Sequence, residues 1–438
     1  MKMKKMDYQN VKGTQDYLPE AEGIRREVRR TLEDVFIQYG CKPLETPILN
    51  YTDLLASKYA GGDEILEEMY TLTDRGERDL ALRYDLTIPF AKVAAMNPTI
   101  PMPFKRYEIG KVFRDGPIKA GRFREFTQCD VDIVGVDSQV AEAELMMMAV
   151  DAFGKLGLNI TIQFNNRKLL AGMLEIFGVE TDQVNQAVLI LDKLEKIGAG
   201  AVLSELGDLH LSDATKQLIQ QFLSDQDNSR LSYFESYADQ NGQIRQGLEE
   251  LKELTSYLDY LDISEQCVFN PFLARGLEIY TGSIYEIFLT DRSITSSIGS
   301  GGRYDHAIGG LLGTNEPVST VGISFGLDVI YAAISASKEQ VNLTSAVDYY
   351  VIPLGTRKEA LRVANDLRRK GYTVELEMSN RKLGKLLDKA NKEKVRNVII
   401  IGEEEIKKKQ IRVKNMETGE ETLWDMENLQ SEKGGTNK

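Results

Sequence analysis

The chain has 438 residues, 42% of them hydrophobic and 28% charged, as expected for a globular protein of two or three domains. No apolar run approaches the roughly 18 residues of a membrane span, and the three scattered cysteines and two histidines form no disulfide framework or His-based metal site. These features predict a cytoplasmic protein without a protein-bound catalytic metal, and the net charge of −13 argues against a non-specific coat on nucleic acid.

The first predicted elements are a helix, an extended segment and a hairpin. Apolar residues at three- and four-residue spacing predict a helix over Glu20–Tyr39, and Gly40 is typical of a helix end. Pro43 and Pro47 place the next segment at a sheet edge or an interface. Residues 69–87 then predict a hairpin that turns at Asp74-Arg75-Gly76.

The most informative stretch is Phe104–Gly135, which predicts two strands joined by a loop. Because alternate strand residues share a face, one face of the second strand is a polar row that is cationic at one end and anionic at the other. That row consists of Arg122, Arg124, Phe126, Gln128, Asp130 and Asp132. The opposite face is mostly apolar and is expected to pack on a core. Its members are Phe123, Thr127, Cys129, Val131 and Ile133, and Glu125 fits this pattern poorly.

A row with graded charge suits a ligand that is anionic at one end and cationic at the other. Guanidinium groups match phosphate oxygens, an aromatic ring can stack on a base, and carboxylates hold an ammonium or an imidazole N–H. A nucleoside triphosphate with an amino acid is the natural pair of ligands. A solvated strand face whose charges pair with their neighbours is the alternative for this stretch taken alone.

Later segments predict an inserted helical region and a terminal α/β module. A helix is predicted over 141–156 and a strand over 159–165, and strand patterns return over 273–289 before the glycine cluster at 299–302. A β-α-β-α-β pattern follows from residue 346, is mildly basic, and predicts a small, mainly parallel sheet. The predicted boundaries are 1–181 and 266–335 for a catalytic domain, 182–265 for a helical insertion, 336–345 for a linker, 346–429 for the α/β domain and 430–438 for a disordered tail.

Several motifs in this order resemble those of histidyl-tRNA synthetase, a class II aminoacyl-tRNA synthetase, over essentially the whole chain. They are KGTQDYLP near the start, the helix-to-Pro47 segment as motif 1, FRDGPIKAGRFREFTQCDVDIVG as motif 2, ARGLEIYTG at 274–282 and GGRYD at 301–305. The resemblance implies an α+β class II catalytic domain, with an antiparallel sheet flanked by helices, a helical insertion and a C-terminal α/β anticodon-binding domain. It also implies a homodimeric histidine–tRNA ligase whose partners are L-histidine, ATP with Mg²⁺, and tRNA(His).

Residue roles carried over from the family fall into two groups. In the ATP group, Arg114 contacts the α-phosphate, Phe126 stacks on adenine and Arg122 reaches the outer phosphates. In the histidine group, Asp85, Thr87 and Gln128 hold the α-amino group, Asp132 and Tyr280 bind the imidazole, and Tyr304 closes the pocket. Arg275 is expected beside the α-phosphate and the substrate carboxylate, and it shares the catalytic role with Arg114. Strand alternation puts Arg275 and Tyr280 on opposite faces, so a bend near Gly276 is expected.

Two positions depart from the family pattern. Motif 2 normally carries a glutamate where this chain has Gly116, and Asp115 is the candidate substitute. Motif 3 normally ends with an arginine where this chain has Val329, and losing such a charge-assisted contact costs about 1.5–3 kcal/mol. These departures keep two alternatives open: an altered paralogue, and a regulatory subunit of ATP phosphoribosyltransferase. The latter is disfavoured because such subunits typically lack the terminal module and the catalytic arginine.

Overall fold

The structure, a computed structural model, describes residues 8–57, 67–118, 121–274, 279–314, 316–336 and 347–426, apart from the side chain of Glu195. Two compact units are present, Met1–Lys338 and Glu339–Lys438. Among the described residues, no helix combines the length and apolarity that crossing a membrane requires. The predicted linker, except Ala336, and the predicted tail lie outside the described residues.

Eleven strands described in the first unit form two sheets. They are β1 Lys42–Pro43, β2 Leu49–Tyr51, β3 Thr71–Thr73, β4 Asp79–Leu82, β5 Phe104–Phe113, β6 Glu125–Val134, β7 Ile160–Asn166, β8 Cys267–Phe269, β9 Ser283–Leu289, β10 Gly299–Arg303 and β11 Thr320–Gly326. The large sheet has the order β1-β5-β6-β11-β10-β9-β7-β8 and the small one β2-β4-β3. Only the β1–β5 and β7–β8 edge pairings of the large sheet are parallel, so the predicted antiparallel sheet is confirmed.

Helices of this unit flank the large sheet or follow its strands. Their described members are Pro19–Gln38, Thr52–Leu55, Thr87–Met96, Val140–Lys155, Arg167–Ile176, Thr181–Leu191, Leu194–Gly207, Asp213–Ser224, Gly242–Tyr260, His306–Leu311 and Leu327–Ala336, with 3₁₀ turns at Asp227–Ser229, Leu231–Tyr237 and Ser264–Gln266. The predicted hairpin at Asp74 is formed by β3 and β4, and the Asp74 carboxylate accepts the Gly76 N–H at 2.9 Å.

One face of β6 packs on the first helix, as its apolar pattern predicts. Cys129, Val131 and Ile133 are at most 1% exposed, and they share a core with Leu32 and Phe36. Each such side chain contributes roughly 1.5–3 kcal/mol by leaving water. The helix ends before Gly40, whose φ of +76° is the left-handed conformation that favours glycine at this position.

The polar row on β6 is shorter than predicted, because the strand begins at Glu125. Arg124 takes part in other pairings: its N–H donates to the Gly13 carbonyl at 2.8 Å, and its own carbonyl accepts the Arg114 N–H at 2.9 Å. Its side chain forms an ion pair with Asp115 at 2.8 Å. The expectation that Arg124 extends the row is therefore wrong, since these contacts hold it in a separate loop.

The predicted helical region over 182–265 is largely helical, with short connecting segments between its helices. Its longest helix, Gly242–Tyr260, begins where the Asn241 side chain accepts the Gln243 N–H at 2.8 Å. Buried residues of this region, such as Val188 and Leu251, belong to the same hydrophobic core as Ile162 and Ile287 of the sheet. The insertion therefore shares the core of the first unit.

The second unit contains a five-stranded sheet. Its strands are β12 Tyr349–Pro353, β13 Val374–Leu376, β14 Asn397–Ile401, β15 Gln410–Asn415 and β16 Glu421–Asp425, in the order β13-β12-β14-β15-β16, with helices Arg357–Arg369, Leu383–Lys392 and Glu403–Lys407. Two pairings are parallel and two antiparallel, so the prediction of a mainly parallel sheet is wrong. The β15–β16 hairpin turns at Gly419, whose φ is +73°. This hairpin forms the antiparallel side of the five-stranded sheet.

Candidate active site

Four neighbouring strands, β5, β6, β11 and β10, form the floor of the candidate site. The register places Gly110, Glu108 and Arg106 of β5 opposite Gln128, Asp130 and Asp132 of β6, respectively. On the other side of β6, Gly322 of β11 lies opposite Asp132, where any side chain would collide with the Asp132 carboxylate.

The glycine cluster of β10 makes room for a predicted site residue. A Cβ on Gly302 would lie 2.8 Å from Cδ1 of Tyr280, so the ring occupies the space that the glycine leaves. The structure thus brings Tyr280 to the floor of the site, directly before β9.

Asp132 is the centre of one end of the floor, which is called the amino-acid end because its residues are predicted to bind histidine. The Tyr304 hydroxyl donates to its Oδ1, and Arg106 Nη2 lies 2.5 Å from its Oδ2. Burial raises the pKa of Asp132, although Arg106 and Tyr304 both oppose this shift. The structure therefore joins two predicted residues, Asp132 and Tyr304, through a direct hydrogen bond.

Arg106 is a site residue that sequence reasoning missed. Its side chain is fully buried, and its guanidinium lies 4.3 Å from the centroid of the Phe90 ring. The signal was present in the alternation of β5, which places Arg106 and Glu108 on one face. Only the pairing of β5 with β6 shows that this face adjoins the predicted aspartates.

The segment before helix Thr87–Met96 brings two further predicted residues to this end. Asp85 Oδ1 accepts the Ile88 N–H at 3.2 Å, and Thr87 begins the helix. Burial raises the pKa of Asp85 to about 6, while the nearby charge of Arg114 counteracts the shift. Gln128, on the floor, donates from Nε2 to Ser324 Oγ at 3.0 Å.

The opposite end of the floor carries the aromatic and cationic groups predicted for ATP. The Arg114 guanidinium lies 5.4 Å from the centroid of the Phe126 ring, and its Nε donates to the Tyr84 carbonyl at 2.9 Å. Burial lowers the pKa of Arg114, and the exposed Arg122 lies near enough for its charge to lower it further. Arg275 and the expected bend at Gly276 lie outside the described residues.

The carboxylate beside position 116 belongs to Glu68. A Cβ on Gly116 would lie 2.5 Å from Glu68 Oε1, and the Asp115 N–H donates to the Glu68 carbonyl at 2.7 Å. The candidate substitute, Asp115, is instead paired with Arg124. No sequence signal connected Glu68 to this loop, because the contact is entirely tertiary.

The two motif 3 residues Asp328 and Val329 both contact other segments of the first unit. Asp328 accepts hydrogen bonds from the Tyr17 hydroxyl at 2.6 Å and the Thr127 N–H at 2.8 Å, and it pairs with Arg25 at 2.5 Å. Val329 packs against Gly121, where an added Cβ would lie 3.3 Å from its Cγ2. Position 329 therefore supplies an apolar contact to the motif 2 loop.

Comparisons with known proteins identify the family of this chain. The sequence profile of histidyl-tRNA synthetase matches residues 13–330, and that of an anticodon binding domain matches residues 348–432. A curated relative named histidine–tRNA ligase 2, from Shouchella clausii, is 61% identical and covers 96% of this chain and 98% of its own length.

Two solved structures have similar folds. Histidyl-tRNA synthetase from Nostoc sp. PCC 7120 has a TM-score of 0.83 at 27% identity, covering 97% of this chain and 98% of that one. A protein from Bacillus halodurans, described as an ATP phosphoribosyltransferase regulatory subunit/histidyl-tRNA synthetase, has a TM-score of 0.75 at 20% identity, covering 91% and 99%. On the profile match and the curated relative, the chain belongs to the histidyl-tRNA synthetase family.

Proposed function

We propose that this protein is an ATP-dependent histidine–tRNA ligase. In the first step, the histidine carboxylate attacks the α-phosphorus of ATP, giving histidyl-adenylate and pyrophosphate. In the second, the terminal ribose hydroxyl of tRNA(His) attacks the activated carbonyl and AMP leaves. The observation that carries the proposal is the floor itself, with Arg114 and Phe126 at one end and the Asp132–Tyr304 pair at the other.

Activation requires positioning and charge stabilisation and no protein nucleophile. Arg114 binds the α-phosphate, Phe126 stacks on adenine and Arg122 binds the outer phosphates. Mg²⁺ enters the site already bound to ATP. Arg275 stabilises the charge that develops as the carboxylate attacks. The buried, partly desolvated position of Arg114 supports its role, because a guanidinium acts more strongly where water is excluded.

Histidine is selected by hydrogen-bond acceptors that face its α-ammonium group and its imidazole ring. Asp85, Thr87 and Gln128 hold the α-ammonium. Asp132 and Tyr280 bind the imidazole, and Tyr304 fixes the Asp132 carboxylate and closes the pocket. A buried acceptor that faces the imidazole rejects other side chains, because they leave it without a partner.

The remaining assignments concern partners and location. The second unit binds the anticodon region of tRNA(His), and the segment around the first helix forms a homodimer interface. A cytoplasmic location is supported by three free cysteines, none of which is paired. The test is charging of tRNA(His) transcripts with labelled histidine, which we expect to require ATP. Absence of charging with an intact, folded enzyme contradicts the proposal.

A regulatory subunit of ATP phosphoribosyltransferase is the second candidate. One observation motivates it: the apolar residue at Val329, where the family pattern has an arginine. Arg275 and the second unit argue for the ligase. Co-purification with a phosphoribosyltransferase, together with no charging of tRNA(His), would establish this candidate instead.

A further inference from the structure

A cluster of buried charges lies at the amino-acid end of the floor. Two guanidinium groups, Arg83 and Arg106, lie among three carboxylates, Glu108, Asp130 and Asp132. Each of the five residues is at most 3% exposed. Because charges in such an environment are poorly screened, the balance between cations and anions decides what the cluster can bind.

Two of the three carboxylates are already paired with a guanidinium group. Asp132 has the Tyr304 hydroxyl on one oxygen and Arg106 on the other. Glu108 Oε1 accepts from Arg83 Nη1 at 2.8 Å and from the Thr46 N–H at 2.9 Å. These two anions therefore match the two guanidinium groups.

Asp130 is the carboxylate left over. Its Oδ1 has no hydrogen-bond partner among the described residues, and the same holds for Oε1 of Gln128, two positions earlier on the same strand face. Residues two apart along a strand are separated by about 7 Å. Asp132 Oδ2 also accepts no hydrogen bond within the described part of the chain, but it is ion-paired with Arg106. Asp130 Oδ1 and Gln128 Oε1 thus remain as two unmatched acceptors, spaced for a ligand that carries more than one N–H donor.

The surroundings of Asp130 disfavour its negative charge. Facing it are Arg106 and Glu108 from β5, Asp132 from β6 itself, Ser324 from β11 and Asp85 from the segment before helix Thr87–Met96. Burial is the largest effect and raises the pKa of Asp130 to about 8; Asp132 and Asp85 add to the shift, whereas Arg106 and Ser324 oppose it. Without substrate, Asp130 therefore favours its protonated form at neutral pH.

We propose that Asp130 is a further specificity-determining residue, whose carboxylate binds the α-ammonium group of the amino-acid substrate and releases its own proton to solvent as that group binds. The proposal rests on the histidine–tRNA ligase function and deepens it. It accounts for the fifth charge of the cluster, because the substrate ammonium supplies the one positive charge that the two arginines leave missing.

The test is calorimetric titration of the full-length protein with histidine at pH 7.5 in two buffers of different ionisation enthalpy. We expect the wild-type protein to release a substantial fraction of one proton for each histidine bound. The release by Asp130→Asn is expected to be smaller than that of wild type, and the difference is the contribution of Asp130. Protons that histidine itself gains or loses on binding cancel in the difference between wild type and Asp130→Asn, because both proteins bind the same ligand. Loss of the charge-assisted contact is expected to raise the Kd for histidine about 10- to 150-fold in Asp130→Asn.

Glu125→Gln is the matched control, since Glu125 lies on the same strand but pairs with Lys111 at the surface. It is expected to match wild type. Equal proton release and equal Kd in wild type and Asp130→Asn overturn the proposal. If Asp130→Asn does not fold, the wild-type protein is sufficient for the test. Proton release that does not fall between pH 7 and pH 8.5, below the titration of the α-amino group of histidine, also overturns the proposal. Failure of wild type to bind histidine contradicts the proposed function instead.

Discussion

Arg106 and Asp132 lie directly opposite each other on neighbouring strands, with Arg106 Nη2 2.5 Å from Asp132 Oδ2, and neither side chain is more than 4% exposed. Tyr304 donates to the other oxygen of Asp132. This arrangement fixes the orientation of the Asp132 carboxylate before any substrate arrives. It also makes the amino-acid end of the site depend on a buried ion pair.

Asp132→Asn is expected to impair both stability and histidine recognition. The substitution leaves Arg106 with only the more distant Glu108 carboxylate, whose Oε2 lies 3.6 Å from Arg106 Nη1. Breaking a buried pair typically costs up to about 3–5 kcal/mol. We expect a lower melting temperature and a higher KM for histidine, measured by thermal unfolding and ATP–pyrophosphate exchange. Glu125→Gln breaks a partly exposed pair on the same strand and is expected to cost at most about 1 kcal/mol. Equal melting temperatures in the two variants would contradict the assignment.

The stability of the empty protein is expected to fall as pH rises from about 6 to about 8. The pKa of Asp130 is about 8 in the folded state, well above the ordinary value, so the folded chain holds a proton that the unfolded chain has lost. Stability then decreases with pH by up to about 1.4 kcal/mol per unit. Urea unfolding at pH 6 and pH 8 measures the slope, which Asp130→Asn is expected to reduce. A variant slope equal to that of wild type contradicts this account.

Gly116→Ala is expected to weaken ATP use. Its Cβ would lie 2.5 Å from Glu68 Oε1, so the loop that carries Arg114 must shift or Glu68 must move away. We expect roughly a tenfold increase in the KM for ATP, corresponding to about 1.4 kcal/mol. The double variant Glu68→Ala/Gly116→Ala removes the collision. If crowding alone raises the KM for ATP, the double variant is expected to restore it. If the Glu68 carboxylate is itself needed, the KM for ATP stays high in the double variant.

Deleting residues 346–438 is expected to reduce charging of tRNA(His) much more than histidine-dependent exchange. The second unit has its own sheet and its own hydrophobic clusters, so its removal leaves the strands of the floor intact. The two activities are measured on the same preparation. An equal loss of both would show that the second unit supports adenylate formation as well.

Local patterns predicted the elements of the site better than its tertiary contacts. Alternation in β6 placed Cys129 and Val131 in the core and Asp132 on the opposite face, because strand geometry alone determines this division. Arg106 and Glu68 were missed because their positions depend on strand register and on a contact between distant segments.

The departures from the family pattern at Gly116 and Val329 show the same limit. A motif comparison identifies which residue is missing, but only the structure shows that Asp115 is engaged with Arg124 and that Val329 packs on Gly121. The predicted roles of Arg275 and Arg122 rest on the family pattern. Arg275→Ala is therefore the natural companion to the measurement that follows.

The most direct measurement is ATP–pyrophosphate exchange by the wild-type protein with each of the standard amino acids in turn. The account predicts exchange with histidine alone, and loss of that exchange in Arg275→Ala. Exchange supported equally by another amino acid, or none with histidine while ATP still binds, would contradict the claim that this strand face holds a triphosphate at one end and histidine at the other.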